Sequence, residues 1–571
     1  MISRADPYGD SALLIEVDDV ASAHGLAEAV ERQRRSGLAP EGVRGAVVGF
    51  CSVVVHLEPA VEGAEAIERW ALELADHGVG RGGPGIRPTP GSAPVRDRVD
   101  IPVTFDGPDL EAVAAGIGRS TASVIDQLTS TGLRVAFLGF APGFPYLTGL
   151  PPELASIPRR STPRTSVPAG SVAVGGGFAT VYPQSTPGGW MLLGRTDLRL
   201  FDPDNPPFAL LRPGDAVRFS TCPPPAPGDH TDQHPTRPPP DGAATGRARL
   251  AARGRRFVEV LDPGLLSLVE DGGRQSLAKL GIPGAGAADP QSLRLANRLV
   301  GNADLAAAIE VTAVGPKLRF AGDGHLAVVA SAVGGVDVRI DDHSVGTDVV
   351  SPVSDGQIVS IGRIMVGLRA YVAVSGGIET PLVMGSRSSD LLCGLGPGPL
   401  MAGDQLDVGT ATRPHGLASH PIAPRLGVEP AVIRVIGGPH RVHPSTLARL
   451  TSTVWAVGKA SNRIGLRLEG DRQSPAHDSE SIRSTPMVTG AIQIPPDGGP
   501  IVLMPDHATV GGYPVAACVI TADLARLGQL RPGDALRFEM VDFHTARSEY
   551  LRGERELAGR VSGWFPTRAG T

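Results

Sequence analysis

Short apolar runs separated by glycine turns dominate this chain, and only a few stretches carry the spacing of an amphipathic helix. "GDSALLIEV" and "GAVVGFCSVVVHLEP" predict strands, while residues 21–35 and 62–75 carry helical spacing. Residues 1–80 therefore read as a small α/β domain. "GRGGPGIRPTPGSAPVRD" is too rich in Gly and Pro to pack and reads as a linker. Strands and turns return over residues 98–221, with one helix predicted between 109 and 130. The Pro-rich stretch 222–256, beginning "CPPPAPGDHTDQHPTRPPP", lacks the large apolar residues a core needs and predicts an exposed linker. Alternating patterns such as "HLAVVASAVGGVDVRI" predict a β domain over 257–425 and a second β lobe over 426–541. The tail, 542–571, contains "ARSEYLRGERELAGRV", a predicted surface helix.

One pattern occurs twice. "LRPGDAVRF" starts at Leu211 and "LRPGDALRF" at Leu530, 319 residues apart. Their neighbours match at nearly the same separation: "RSTP" at Arg160 and Arg483, "AGSVAV" at Ala169 against "TGAIQI" at Thr489, and "PGGW" ending at Trp190 against "VGGY" ending at Tyr513. Landmarks in one order imply a duplicated β domain. "RPGD" itself is a turn leading into a strand, because Pro presets φ and Gly tolerates φ > 0.

Composition sharpens the class. A hydrophobic share of 41% with 74 Gly, 53 Pro and few aromatics suits turn-rich β structure, and 571 residues exceed what one core supports. A formal charge of -6 provides no basic field for nucleic acid. Cys51, Cys222, Cys393 and Cys518 stand far apart, which predicts reduced thiols rather than a disulfide framework or zinc site. The start, "MISRADPYGDSALLIEV", lacks the features of a signal peptide, and no apolar run approaches a membrane span, so a cytoplasmic protein without membrane contact is expected.

Several motifs carry candidate chemistry. In "GFAPGFPYL", Pro142 and Gly143 lie between Phe140, Phe144 and Tyr146, an aromatic loop suited either to packing or to a planar ligand. "PRRSTPRTSVPAGS" gathers arginines, among them Arg164, beside hydroxyls that suit a carboxylate or phosphate. In the second half, Glu270, Asp271 and Arg274 precede Asp289, Asn297, Asn302 and Glu310. Acids can serve as general bases or metal ligands, and Arg and amides bind carboxylates or carbonyls. An ion-paired helix start is the competing account, since "DPQSLRLANRLVG" opens with Asp-Pro and closes near Gly. "GSRSSD" offers Arg387 among hydroxyls, and "SNRIGLRLEG", with Arg463, occupies the place of "APGFPYLTGL" in the first copy. Standard P-loop, nucleophile-elbow and HExxH motifs are absent.

"FLGFAPGFPYLTGL", "TPRTSVPAGSVAV" and "STPGGWMLLGRTDLRLFDPD" resemble the Kip-type family, known as allophanate hydrolase subunit 1 or as the B-type subunit of 5-oxoprolinase. "DPGLLSLVEDGGRQSLAKLGIPGAGAADPQSLRLANRLVGN", "GSRSSD" and "GAIQIPPDGGPIVLMPDHATVGGYP" resemble the partner family, allophanate hydrolase subunit 2 or the C-type subunit of 5-oxoprolinase. The resemblance implies a fusion of two subunits: a mainly β protein with an α/β N-terminal unit and duplicated cyclophilin-like β-barrel domains. It also implies similarity to the carboxyltransferase domain of urea carboxylase.

The expected function is the fused B/C component of an ATP-dependent 5-oxoprolinase, converting 5-oxo-L-proline to L-glutamate with a separate A-type subunit and using ATP with Mg²⁺. On that reading Asp271, Arg274, Asp289 and Arg463 are the catalytic candidates. Phe140, Pro142, Gly143, Phe144, Tyr146, Arg164, Gly188, Gly189, Trp190, Asn297, Asn302, Arg387, Gln493, Gly511, Gly512 and Tyr513 are the substrate-binding candidates. A homo-oligomer is also compatible with it. Two alternatives are a biotin-dependent carboxyltransferase or allophanate hydrolase-related component, and a non-catalytic regulator of a histidine kinase. No Met-Lys-Met biotinylation site occurs, so biotin would have to come from another protein. The chain departs from the family patterns at Leu128, Phe178, Glu270, Asn462, His507 and Ala508, where His, Gln, Gln, Asp, Arg and Gln respectively are usual.

Overall fold

The computed structural model describes residues 2–59, 64–78, 98–160, 162, 164–223, 256–331, 334–417, 430–470 and 482–562. The glycine-rich linker after residue 78, most of the Pro-rich stretch 222–256 and the last residues of the tail lie outside the described residues.

The first unit is a four-stranded antiparallel sheet in the order Ile2–Pro7, Ala12–Val17, Ser52–Leu57, Val43–Gly49. Helices Val20–Arg35 and Ala64–Gly78 supply Leu26, Val30, Ile67 and Ala71 to one face, where they pack on Ile15, Val53 and Val55. The opposite face is apolar as well, and Tyr8, Ala12, Leu14 and Val54 pack against Met487, Val488, Leu503 and Cys518. The N-terminal unit thus sits on the second copy of the repeat, far along the chain.

Both copies form barrels of one topology. In the first, Val99–Val103 runs parallel to Ala216–Thr221, which leads through Leu133–Leu138, Pro145–Thr148, Phe178–Val181 and Ser171–Gly175 to Met191–Arg195. Reciprocal backbone bonds between Thr104 and Arg195 bring its two edges together. In the second, Ala431–Gly437 runs parallel to Ala535–Met540, and the sheet closes through Trp455–Val457, Gly465–Glu469, Ile501–Leu503, Ala491–Gln493 and Val515–Val519. The twin nonapeptides make the same turn in each. Asp215 accepts from Arg212 N at 2.9 Å and Asp534 from Arg531 N at 2.7 Å. Gly214 and Gly533 take φ of 92° and 95°, and their N–H groups bond Val135 O and Val457 O. Where the sequence predicts one helix before the first barrel's second strand, the fold has two, Leu110–Gly116 and Thr121–Ser130. Gly118 at φ 67° separates them, since the chain reverses there through a left-handed residue.

Between the barrels lies a sandwich of a six-stranded and a five-stranded sheet sharing one core, in which Val258, Leu318 and Val359 meet Val311, Val328 and Val372. Helix Pro290–Leu299 covers the outer face of the five-stranded sheet through Leu293, Leu295, Ala296 and Leu299. Strand Arg369–Val374 is consequently buried at every position, so it reads as a continuous rather than an alternating run. The four cysteines are free thiols, and no helix among the described residues is long and apolar enough to cross a membrane.

The first barrel meets the sandwich at a close backbone contact. Gly143 N donates to Leu280 O at 2.8 Å, and Gln184 Nε2 donates to Leu392 O at 3.1 Å. Gly281, at φ 79°, comes so near Ala141 that an added Cβ would stand 2.1 Å from its carbonyl oxygen. Gly281→Ala is therefore expected to destabilise the protein by about 2 kcal/mol or more, from backbone strain plus a contact that only separation of the two halves can relieve. Calorimetry checks this, and an unchanged unfolding temperature would contradict it.

Candidate active site at the junction of sandwich and second barrel

Three segments converge where the sandwich meets the second barrel: the end of strand Leu266–Glu270 with its following loop, the loop 383–396, and the turns carrying Arg463 and Asp506. Arg463 is their centre, with only 4% of its surface exposed. Its Nε and Nη2 make a two-pronged contact with Asp506 at 2.9 and 2.8 Å, Nη1 donates to Glu310 Oε1 at 2.7 Å, and Nη2 donates to Gly286 O at 2.6 Å. Glu310 also accepts from Arg369 Nε, Tyr371 Oη and Ala288 N. Burial would raise the Glu310 carboxyl, but the guanidiniums of Arg463 and Arg369 outweigh it and hold it below the usual range.

Glu270 completes the cluster differently. Its carboxyl is fully buried, with no close hydrogen bond to either oxygen and with the Ser388 hydroxyl beside it. Arg463 Nη2 stands 3.4 Å from Oε1. Glu270, Glu310 and Asp506 thus place three buried acids beside the guanidiniums of Arg463 and Arg369. Burial pushes the Glu270 carboxyl well up, and the nearby Glu310 and Asp506 push it further against the pull of Arg463.

Asp271, next along the chain, is saturated. Burial would raise its carboxyl, but donors from Ser386 Oγ, Ser388 Oγ, Arg387 N and Gly273 N, at 2.6 to 2.8 Å, keep it below its ordinary value. With those bonds it ties the 383–396 loop to the strand end. Arg274, 2% exposed, donates Nη2 to Ser388 O at 2.6 Å and Nε to Val383 O at 3.2 Å, leaving Nη1 without a partner. Asp390, also 2% exposed, accepts Leu392 N and Cys393 N on Oδ1 while Oδ2 has none. Burial and the charge of Asp506 push the Asp390 carboxyl up to about 6. Buried polar atoms are nearly always satisfied, so four atoms without a close hydrogen bond in one junction set it apart from the rest of the core.

The fold therefore brings together Asp271, Arg274, Arg387 and Arg463 from the candidate set. Arg387 bonds Asp271 through its backbone and Thr380 O through its guanidinium. Asp289 lies at the edge of the network as the N-cap of helix Pro290–Leu299, accepting from Ser292 and from Gln529. Asn297 donates to Ala306 O, and Asn302 donates to Asn297 and Val374 O, which pins the loops after that helix.

The first barrel's candidates gather elsewhere, around a packed aromatic cluster. Phe144, Tyr146 and Trp190 are almost fully buried, with ring centroids 5.3 to 5.7 Å apart. Phe140 lies edge-on to Phe144, and Val510 of the second barrel fills the space in front of Gly139, so the loop carrying Pro142 and Gly143 packs on protein. Arg164 is neutralised by Asp109 at 2.8 Å. Gly189 O accepts from Arg160 N, and Gly188 leaves room for the Tyr182 hydroxyl. In the second copy Gly511 is packed against Gln493, whose amide donates to Met487 Sδ, and the chain continues through Gly512 to Tyr513, 37% exposed. A shallow groove between Arg441, Arg449 and Pro496 opens elsewhere on the second barrel, and none of the candidates lines it.

Asp390 and Asp506 were not among the sequence candidates. Asp390 ends "GSRSSD", where the arginine and hydroxyls draw the eye, and Asp506 sits in "MPDH", a loop whose neighbours along the chain carry no comparable chemistry.

Residues 3–211 match the family model described as carboxyltransferase domain, subdomain C and D, and residues 280–540 match the one for subdomain A and B. The C-type subunit of 5-oxoprolinase from Escherichia coli strain K12 is 35% identical over 317 residues, which span 53% of this chain and 99% of that protein. The chain belongs to the carboxyltransferase-domain family of the 5-oxoprolinase subunits. In that family, the B-type subunit from Escherichia coli O157:H7 is 53% identical over 124 residues, 21% of this chain and 56% of its own length. A solved family structure, TTHA0988, superposes with a TM-score of 0.77 at 31% identity, covering 92% of this chain and 99% of its own. Both subunit types of the 5-oxoprolinase family are thus represented in one chain, B-like before C-like, and the orphan junction lies in the C-like part.

Proposed function

We propose that this chain is the fused B/C component of an ATP-dependent 5-oxoprolinase, acting on 5-oxo-L-proline together with a separate A-type subunit. The observation that carries the reading is the combination of both subunit types in one chain with a buried, unsatisfied polar junction in the C-like part. Opening a lactam at neutral pH needs its carbonyl activated, which ATP supplies by phosphoryl transfer to the carbonyl oxygen. The chain's own residues then have to hold an anionic, amide-bearing ring in fixed register. Rigid Arg and carboxyl groups in a low-dielectric junction suit that task, because such groups need no reorganisation when charge develops. Among the described residues no group of three or more His, Cys, Asp or Glu side chains is placed to hold a metal ion.

The test is release of glutamate by the full chain mixed with an A-type subunit, ATP, Mg²⁺ and 5-oxo-L-proline. Glutamate formation that requires all components is expected. A well-folded mixture that releases none, while hydrolysing ATP with another amide such as urea, would overturn the assignment.

A further inference from the structure

The seam between the N-terminal sheet and the second barrel carries three imidazoles and an arginine. Val53 and Val55 face the helices of the N-terminal unit, so Val54 and His56, on the alternate side of their strand, face the barrel. There His56 meets His507, near enough for a charge on one to oppose a charge on the other. His507 is buried, and its Nδ1 bonds Ala508 O at 2.8 Å. A second pair straddles the same seam: His440 of the barrel faces Arg4 of the sheet's edge strand, which is ion-paired with Asp6. His440 Nδ1 accepts from Val515 N at 3.1 Å, so the ring's own hydrogen is on Nε2, which has no partner. A further proton has to go on Nδ1, where it removes that bond from strand Val515–Val519 beneath the sheet. Among the described residues no carboxylate pairs with His56, His440 or His507. The other ionisable groups of the seam are Cys518, Tyr8, whose hydroxyl donates to Met487 Sδ, and Asp10, which accepts from Thr521 N and Oγ1 with Asp523 and Tyr550 nearby.

We propose that this seam is an acid-sensitive latch: proton uptake by His56, His440 and His507 lifts the N-terminal sheet off the second barrel and uncovers Cys518. In the docked state the rings are neutral. Burial, with His507 facing one ring and Arg4 the other, holds His56 and His440 down at about 4, against 6.5 for a free imidazole. Undocked, each ring meets water and takes up its proton near 6.5. Docking is therefore fully favoured above that value and loses this preference as pH falls towards 4. Burial lowers His507 in the same sense. Asp10 acts in the opposite sense, since burial raises its carboxyl and acid protonates it in place, but it is one group against three. At the unit's contact with the first barrel, His24 donates Nε2–H to Ala136 O at 2.5 Å. Burial lowers His24 as well, but that bond and Glu28 oppose it, and a protonated ring keeps the bond. His507 follows Asp506, which holds Arg463, so the latch adjoins the candidate active site.

Cys518 is a built-in reporter, 1% exposed and covered by Gly9, where an added Cβ would stand 3.1 Å from its own Cβ. The test is thiol labelling of the full chain with a dithiodipyridine, which still reacts in acid, at about pH 7.5 and about pH 5, with each cysteine read by peptide mass. Exposed Cys222 gives the intrinsic rate, and Cys393, buried away from the seam, reports general unfolding. Relative to Cys222, labelling of Cys518 is expected to rise about 30-fold or more on acidification while Cys393 stays protected, 30-fold being the factor for one histidine that titrates at about 4 docked and 6.5 free. His440→Asn keeps an acceptor for Val515 N and does not titrate. Combined with His56→Gln, it is expected to remove most of the rise. Cys518 equally protected at both pH values, or uncovered only together with Cys393, overturns the latch, and so does a rise that persists in full in the double variant. If the double variant does not fold, the comparison of Cys518 with Cys393 in the unmodified chain decides alone.

Discussion

Replacing Arg463 with Met is expected to cost about 3–5 kcal/mol of stability, the range seen when one partner of a buried charge network is removed. Arg463 serves the carboxylates of Asp506 and Glu310 and the carbonyl of Gly286 at once, joining the second barrel to the sandwich. Glu310 keeps Arg369, Tyr371 and Ala288 N in the variant, so the larger share of the loss falls on Asp506, which is fully buried. Methionine fills much of the volume, which separates the electrostatic loss from that of a cavity. The deficit should shrink in acid, because protonation of the stranded carboxyl removes the unpaired charge. Urea unfolding at neutral and acidic pH measures both quantities. A loss below about 1 kcal/mol at neutral pH would mean that the junction tolerates an unpaired carboxylate, against the general cost of burying one.

The same network explains which parts of the protein were legible in the sequence. The duplicated barrel was readable because its landmarks are local: the "RPGD" turns of Asp215 and Asp534 make their bonds within a few residues, so each copy has to repeat the letters. Helix Pro290–Leu299 was readable for the same reason, with Asp289 as cap and Pro290 in its first turn. The two-faced burial of the N-terminal sheet was not, because Leu14 and Val54 are explained equally well by a partner anywhere, and the partner begins at Met487. The junction was half legible. Asp271 and Arg274 stood out as a cluster of charges and Arg463 by its place in the repeat, but their roles depend on which partners each finds after folding. Asp271 looks like a general base until its four donors are counted. Asp390 looks like a turn residue until Oδ2 is found without one. Convergence of residues 270, 390 and 506 is a property of the packing of three distant segments, and no periodicity encodes it.

Asp390→Asn is expected to stabilise the fold at neutral pH. In the folded chain the Asp390 carboxyl is pushed up to about 6 from 3.8 by burial and by Asp506. Because the folded-state value is the higher one, the folded protein holds a proton between about pH 4 and 6 that the unfolded chain has released. Stability from this group is therefore greatest at acidic pH, falls as pH rises through that window, and levels off above it. The shift corresponds to roughly 3 kcal/mol between the two plateaus, an upper figure because local relaxation eases burial of the charge. Asparagine does not titrate and keeps an oxygen for Leu392 N and Cys393 N. The variant's advantage over the parent should consequently be small near pH 4 and approach 2–3 kcal/mol, on this order-of-magnitude scale, at pH 7. Chemical denaturation at the two pH values gives that difference directly. An advantage that does not grow with pH would show that Asp390 ionises without penalty in its buried place beside Asp506. Growth of the advantage with pH would show that the parent carries a buried carboxylate at a cost to its own stability.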